Sequence, residues 1–509
     1  MGRITGHNLV TEAEVASMTD HIVRITAVRS APRRTFPDRA PRLFRCLQPV
    51  WIGMVLSVFW AARAGAQETM PYDLAPASAS QPTTKSAQTD QTFDTGGLHE
   101  TAAPSDLRPF QLLLPQGHFL GDWAGLRTEL ERMGITPTLN LVTDVAANPT
   151  GGRSEGITEA SNLGLDLLFD FDKIGGVKDA TFLLQLSQRW GSSLSADHIG
   201  NVFTTQQVYG GQTFRVVDAA YQQKFFDDRV EVRLGRIAAG DDFLVSPYDY
   251  LFMQNGFDGN PVGIFFDTHG MTAYPNAAWG ALVKVRPTQR TYAMVGVYDG
   301  DSAIRANRFH GVNMDFNGPV YVMGEAGFQV NGLPGDTGLI GDYKAGFWYD
   351  NAAAVEFGTS HTRRSSYGAY GLFDQILVPF GERGSNRGLG VFGSATFSLD
   401  PSVAQLPCFF TGGVAARGFL DSRPRDVCGF GVLYGLFSGQ REDAQEQALL
   451  HNPATLVQDH ELALEATYKC YFKGSSLFFQ PDLQYIFHPG GSGRTADALV
   501  IGLQAGINF

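Results

Sequence analysis

Charge is scarce in this chain of 509 residues: Asp, Glu, Lys and Arg make up 18%, below the usual level of a soluble protein. What charge there is runs acidic, with 39 Lys and Arg against 51 Asp and Glu, a net −12. That argues against nucleic acid as a partner, because phosphate neutralisation needs clustered cations. Cysteine is also scarce, with only Cys46, Cys408, Cys428 and Cys470. No CxxC and no Cys/His cluster occurs, so no metal site is expected. Cys408 and Cys428 flank a polar, turn-like stretch, and an oxidising compartment would allow a disulfide across that hairpin. Two separate thiols are the alternative. No G-x-S-x-G or H-E-x-x-H occurs, which removes the common hydrolase and zincin signals. Gly429, Gly431 and Gly435 are not followed by a helical pattern, so they read as strand glycines and not as a phosphate loop. His451, Asp459, His460 and Glu461 form a polar cluster without ligand spacing. Neither a catalytic set nor a cofactor is expected.

Long apolar runs are almost absent. The one that occurs, Val50 to Ala62, is too short for a confident spanning helix. Arg39, Arg42 and Arg45 precede it and Ala64-Gly65-Ala66 follows. Basic, apolar and small-residue regions in that order read as a secretory signal, with Ala64 and Ala66 setting cleavage after Ala66. Residues 1–66 are therefore an N-terminal extension and signal peptide. Residues 67–118 are rich in Ser, Thr, Gln, Ala and Pro, the composition of a disordered linker. A short helix is predicted over 119–134. Asp122 stands as its N-cap, Leu126, Leu130 and Met133 form its apolar face, and Gly134 ends it.

Abundant Gly (59) and Phe (37) accompany a mean hydropathy of only −0.10. That combination suits strands with one oily and one wet face. From Ile135 to Phe509 the period is two. Leu163, Leu165, Leu167 and Phe169 alternate with Gly164, Asp166 and Asp170. Phe182, Leu184 and Leu186 alternate with Gln185, Ser187 and Arg189, and Val320, Val322, Ala326 and Phe328 with Glu325 and Gln329. The last run, Leu499 to Phe509, alternates to its final residue. Several runs approach the roughly ten residues a tilted strand needs to cross a bilayer, and closure removes the edges such an array would expose. The expected fold is all-β: a transmembrane antiparallel β-barrel of about 16 strands over 135–509, with a short N-terminal helix. Phe509, closing an alternating strand, is the expected assembly signal, and Pro481 within a strand predicts a bulge or local edge.

Several short motifs then fall in order. They are Gly121-Asp122-Trp123-Ala124-Gly125-Leu126-Arg127, Asn148-Pro149-Thr150-Gly151-Gly152, Gly235-Arg236 with Asp242-Phe243, Arg423 to Val432, and Gln480 to Ile486 with His488-Pro489-Gly490-Gly491. Together they resemble the carbohydrate-selective porins of the OprB type, over about residues 115 to 509. The resemblance implies an outer-membrane channel for passive diffusion of glucose-like sugars into the periplasm. Its implied partners are small sugars, the surrounding outer-membrane lipid and the barrel assembly machinery, with the barrel a monomer or a homotrimer. Locally, Asp122 and Arg127 read as an ordering cap more than a sugar contact, and Arg423 with Asp426 as a tied turn.

A sugar-passing lumen needs hydrogen-bonding and charged groups. Strand parity assigns Asp166 to the wet face of one run and Gln185 and Arg189 to that of the next. Asp218, Gln222 and Lys224 follow, then Glu231 and Arg233, then Glu325. Glu465, Gln480, Asp482 and Gln484 complete the set. A cation such as Arg189 set against Asp218 or Glu231 would orient a sugar without holding a net ion. A general or ion-selective porin on the same fold is the alternative, separable by reversal potential and sugar block. An outer-membrane enzyme would need a nucleophile set at the wall, and a surface structural protein rests only on the long extension.

Overall fold

The computed structural model describes residues 117–257, 263–301, 310–312, 314, 316–333, 336–381 and 387–509. The signal peptide, its cleavage site, Cys46 and nearly all of the linker lie outside the described residues. The predicted alternation becomes 16 strands in one closed barrel, each hydrogen-bonded to its neighbours in chain order, with the last returning to the first. They are β1 (Ile135–Gly152), β2 (Gly156–Asp170), β3 (Ala180–Gly191) and β4 (Thr213–Phe225). Next come β5 (Val230–Ile237), β6 (Ala278–Thr288), β7 (Thr291–Asp299) and β8 (Val320–Val330). β9 (Gly341–Val355), β10 (Thr362–Pro379), β11 (Gly388–Ser398) and β12 (Cys408–Arg417) follow. β13 (Val427–Leu436), β14 (His460–Phe472), β15 (Leu477–Phe487) and β16 (Ala496–Asn508) close the wall. Among the described residues no helix is long and apolar enough to cross a membrane.

Period-two sequence sets the two faces of this wall. On β15, Phe479, Leu483 and Tyr485 are exposed outward while Gln480, Asp482 and Gln484 are buried. On β16, Ile501 and Leu503 are exposed while Val500 and Gln504 are buried. The exposed apolar side matches what lipid requires of a barrel's outside. Between β3 and β4 the register slips, so that Val217 and Asp218 together face Gln185. That two-against-one bulge buries both Val217 and Asp218 completely.

One rim carries mostly short turns, such as 226–229 and 289–290, and the opposite rim carries long connections, including 192–212 and 238–277. Beneath the short-turn rim lies α1 (Leu126–Arg132). Its cap differs from the predicted one. Gly125 is the N-cap residue and gives no side-chain bond, while Asp122, one turn earlier, accepts from the Thr128 amide at 2.8 Å and from its hydroxyl at 2.7 Å. Those two donors hold the Asp122 carboxyl below its usual range. Gly134 ends the helix with φ +87°, where a Cβ would meet the Asp170 carbonyl at 2.9 Å. The predicted apolar face does not pack: Leu126 and Met133 are exposed, and the helix's one buried residue is Arg127.

Two further expectations are corrected. Cys408 pairs with Leu436 and Cys428 with Ala416, so the two thiols sit at opposite ends of the β12–β13 hairpin. They are separated by roughly eight strand residues, about 26 Å, far beyond disulfide reach, and neither is in a disulfide. Pro481 makes no bulge: it pairs with Leu503 in an unbroken register. On its other side Thr467–Asp482 and Cys470–Phe479 keep one register.

Candidate functional site

The lumen is not empty. Segments 192–212, 238–257 and 263–277 turn inward and form an apolar body containing Leu194, Phe203, Leu251, Phe252, Met253 and Phe257. Phe252 stacks on Phe257 at 4.5 Å between ring centres and meets Phe392 of the wall at 5.5 Å. The first two segments interlock, since the Asn255 amide donates to the Thr204 carbonyl at 2.7 Å and the Gln207 amide to the Met253 carbonyl at 2.8 Å. We call this body the plug.

The wet-face residues named from the sequence divide between two duties. All are buried except Lys224, whose side chain keeps 19% exposure. Glu325, Glu465, Gln480 and Gln484 are bonded to the plug. Glu325 accepts from the Leu244 amide at 2.8 Å, and Glu465 accepts from the amides of Met253 at 2.5 Å and Gln254 at 3.1 Å. Gln480 donates to the Leu251 carbonyl at 2.5 Å, and Gln484 to that of Thr205 at 3.0 Å. Gln484 also donates to Asp482 at 2.9 Å.

Charge gathers on β3 to β6. Arg233 reaches Asp242 at 2.5 Å and Asp218 at 3.6 Å, with the Arg233 and Asp218 side chains fully buried. Arg286 meets Glu231 at 3.2 Å. The carboxylate neighbours named for Arg189 thus serve other arginines. Arg189 itself donates to Asn162 at 3.3 Å and to the Tyr209 carbonyl at 3.1 Å, and its guanidinium lies 5.2 Å from the centre of the Tyr274 ring. Asp166 pairs with Gln185 across β2 and β3, and Gln222 with Arg233 across β4 and β5. Asp242, Tyr209 and Tyr274 were outside the named set because they lie in the infolded segments, which have no strand period to read. Beyond the Asp242-Phe243 motif, the signal there is composition: residues 243–257, FLVSPYDYLFMQNGF, are too apolar for a solvated loop.

At the short-turn rim, Arg127 donates to the Pro137 carbonyl of β1 at 3.0 Å and to the Phe509 carbonyl, just past β16, at 2.7 Å. Its guanidinium lies 4.6 Å from the Trp123 ring. The Phe119 amide donates to Asn508 at 2.7 Å and the Phe509 amide to Leu139 at 2.8 Å. The N-terminal segment therefore clasps the seam at which the barrel closes. Arg423 and Asp426 form an ion pair that ties the β12–β13 turn, and the Tyr471 amide donates to the same carboxylate at 3.0 Å.

A closed barrel of this strand number, apolar outside, polar within and narrowed by infolded segments, is a channel-forming protein of an outer membrane. The chain belongs to the carbohydrate-selective porin, OprB family, whose match runs over residues 154–509. Porin B of Pseudomonas aeruginosa is 27% identical over 421 residues, covering 76% of this chain and 90% of that protein. The high-pH structure of Pseudomonas putida OprB is 26% identical, covers 78% of this chain and 99% of its own, and superposes with a TM-score of 0.71. The family and the fold point to a channel for small sugars in the outer membrane, and not to an enzyme.

Proposed function

We propose that this porin lets glucose-like sugars diffuse into the periplasm, and that its selectivity arises where the polar wall of β2 to β6 faces the plug. The observation that carries this reading is the setting of Arg189. A guanidinium held over a tyrosine ring and bonded to Asn162, with Asp166 and Gln185 facing each other four residues further along the same two strands, offers a sugar both of its needs. Hydroxyls find charged and amide partners, and the C–H faces find an aromatic surface. Neighbouring carboxylates on Arg233 and Arg286 keep the local charge mixed, so a neutral solute is not outcompeted by one class of ion.

Swelling of proteoliposomes in a panel of sugars tests the substrate class. Hexoses should enter faster than uncharged solutes of equal size, and equal rates would leave a general porin. Arg189→Ala should keep the barrel folded, move the reversal potential towards cations and weaken sugar block about fivefold. An unchanged reversal potential with unchanged sugar uptake would reduce Arg189 to an anchor.

Export follows the same reading: the signal is cut after Ala66. N-terminal sequencing of protein from the outer membrane should begin at Gln67, and a chain retaining Trp51 to Trp60 would refute it.

A further inference from the structure

We infer that the β13–β14 wall is the seat that positions the plug, with Glu461 and Glu465 as its positioning residues and the inward glycines of β13 as its floor. The inference deepens the channel reading above, since it names what sets the width of the path.

Glu461 and Glu465 are four residues apart on β14, so both face inward, and both are buried. Each carboxylate accepts from two consecutive backbone amides of the plug. Glu461 takes Val202 at 2.8 Å and Phe203 at 3.0 Å; Glu465 takes Met253 and Gln254. Glu461 also accepts from the Gly490 amide at 2.7 Å, which ties the β15–β16 connection to the same point. Successive amides pointing one way form a small concavity that seats an acceptor group, so each glutamate fixes two plug amides at once. One carboxylate holds segment 192–212 and the other holds segment 238–257.

The neighbouring strand supplies the fit. A Cβ on Gly435 would lie 2.5 Å from the Phe203 ring, one on Gly431 2.7 Å from Phe257, and one on Gly429 2.6 Å from Leu251. Glycine at these three inward positions lets the plug's aromatic and aliphatic groups lie against bare backbone. Any side chain there would push the plug away from the wall. A carboxylate line beside a glycine floor is what a fixed, closely seated body requires. Neither group need touch the solute.

The test uses the full-length protein reconstituted in planar bilayers, with amide exchange measured in parallel. The Glu461→Ala/Glu465→Ala double variant should exchange the amides of Val202, Phe203, Met253 and Gln254 on the order of tenfold faster. Potassium chloride current should rise and become noisy, while strand amides of β8 and β9 keep wild-type protection. The Glu461→Gln/Glu465→Gln variant retains one carbonyl acceptor per site and should restore most of the steady current. Gly431→Leu, with both carboxylates intact, should change conductance on its own. Wild-type exchange at the four amides, or wild-type current despite faster exchange, would overturn the inference. Glucose block of the wild-type channel is scored separately: its absence refutes the sugar reading, and the current through the variants still decides the seat.

Discussion

Arg127→Ala is expected to yield a barrel that loosens at its seam. The substitution removes bonds to the first strand at Pro137 and to the carbonyl of Phe509. Hydrogen bonds from a charged group are worth about 1.5–3 kcal/mol each. Arg127→Lys keeps the charge but loses the planar fork that spans both carbonyls, so it should recover only part of the loss. The measurement is the temperature at which the folded form converts to the unfolded form on a gel, and an alanine variant melting with the wild type would sink the clasp. The same assay carries a pH dependence. Burial first, then the adjacent Arg127 charge, holds His118 below its ordinary value of 6.5, and its Nε2 lies 3.2 Å from the Arg127 guanidinium. A histidine with a lowered folded value contributes stability that is present above its unfolded value and lost as pH falls below it. The clasp should therefore weaken as pH drops through about 6.5 and downward. His118→Gln should flatten that slope.

Arg233→Ala should destabilise more than any other single change in the lumen. It leaves Asp218 and Asp242 without the guanidinium that lies between them. Removing one member of a buried ion pair costs about 3–5 kcal/mol. The urea midpoint of the refolded barrel should fall, and the surviving channels should favour cations, because two carboxylates lose their counter-charge. Neutralising the acids as well, in Arg233→Met/Asp218→Asn/Asp242→Asn, should return much of the stability, since a buried ionic cluster can be exchanged for neutral groups at little net cost. An unchanged midpoint in the single variant would show that the ion pair holds nothing.

Strand parity made the wall legible. A two-residue period has only two faces, and lipid forbids charge on one of them, so Glu325, Glu465 and Gln480 had to point inward. What those residues touch was not legible. Their partners in the plug are backbone amides and carbonyls of segment 238–257, and backbone groups leave no mark in a sequence. The clasp was half legible. Asp122, Trp123 and Arg127 announced an ordered element, yet Leu126, Leu130 and Met133 suggested an apolar helix face. A helix of seven residues beneath a barrel rim has no core to bury such a face in, and the guanidinium that bridges two strands took the buried position instead. Cys408 and Cys428 failed for a related reason. Their separation in sequence fits a hairpin, but a disulfide depends on register, and the register sets them at opposite ends of it.

The seat of the plug also has a consequence in time. Val202, Phe203 and Met253 lie 259, 258 and 212 residues away in the chain from the glutamates that hold them. Contacts between segments so far apart form late, because the loop between them must close first. The plug thus cannot take its final place until β14 has joined the wall. A nascent barrel would pass through a wide-bore stage, and narrowing would be the last step of maturation, complete only after the sheet has closed around it.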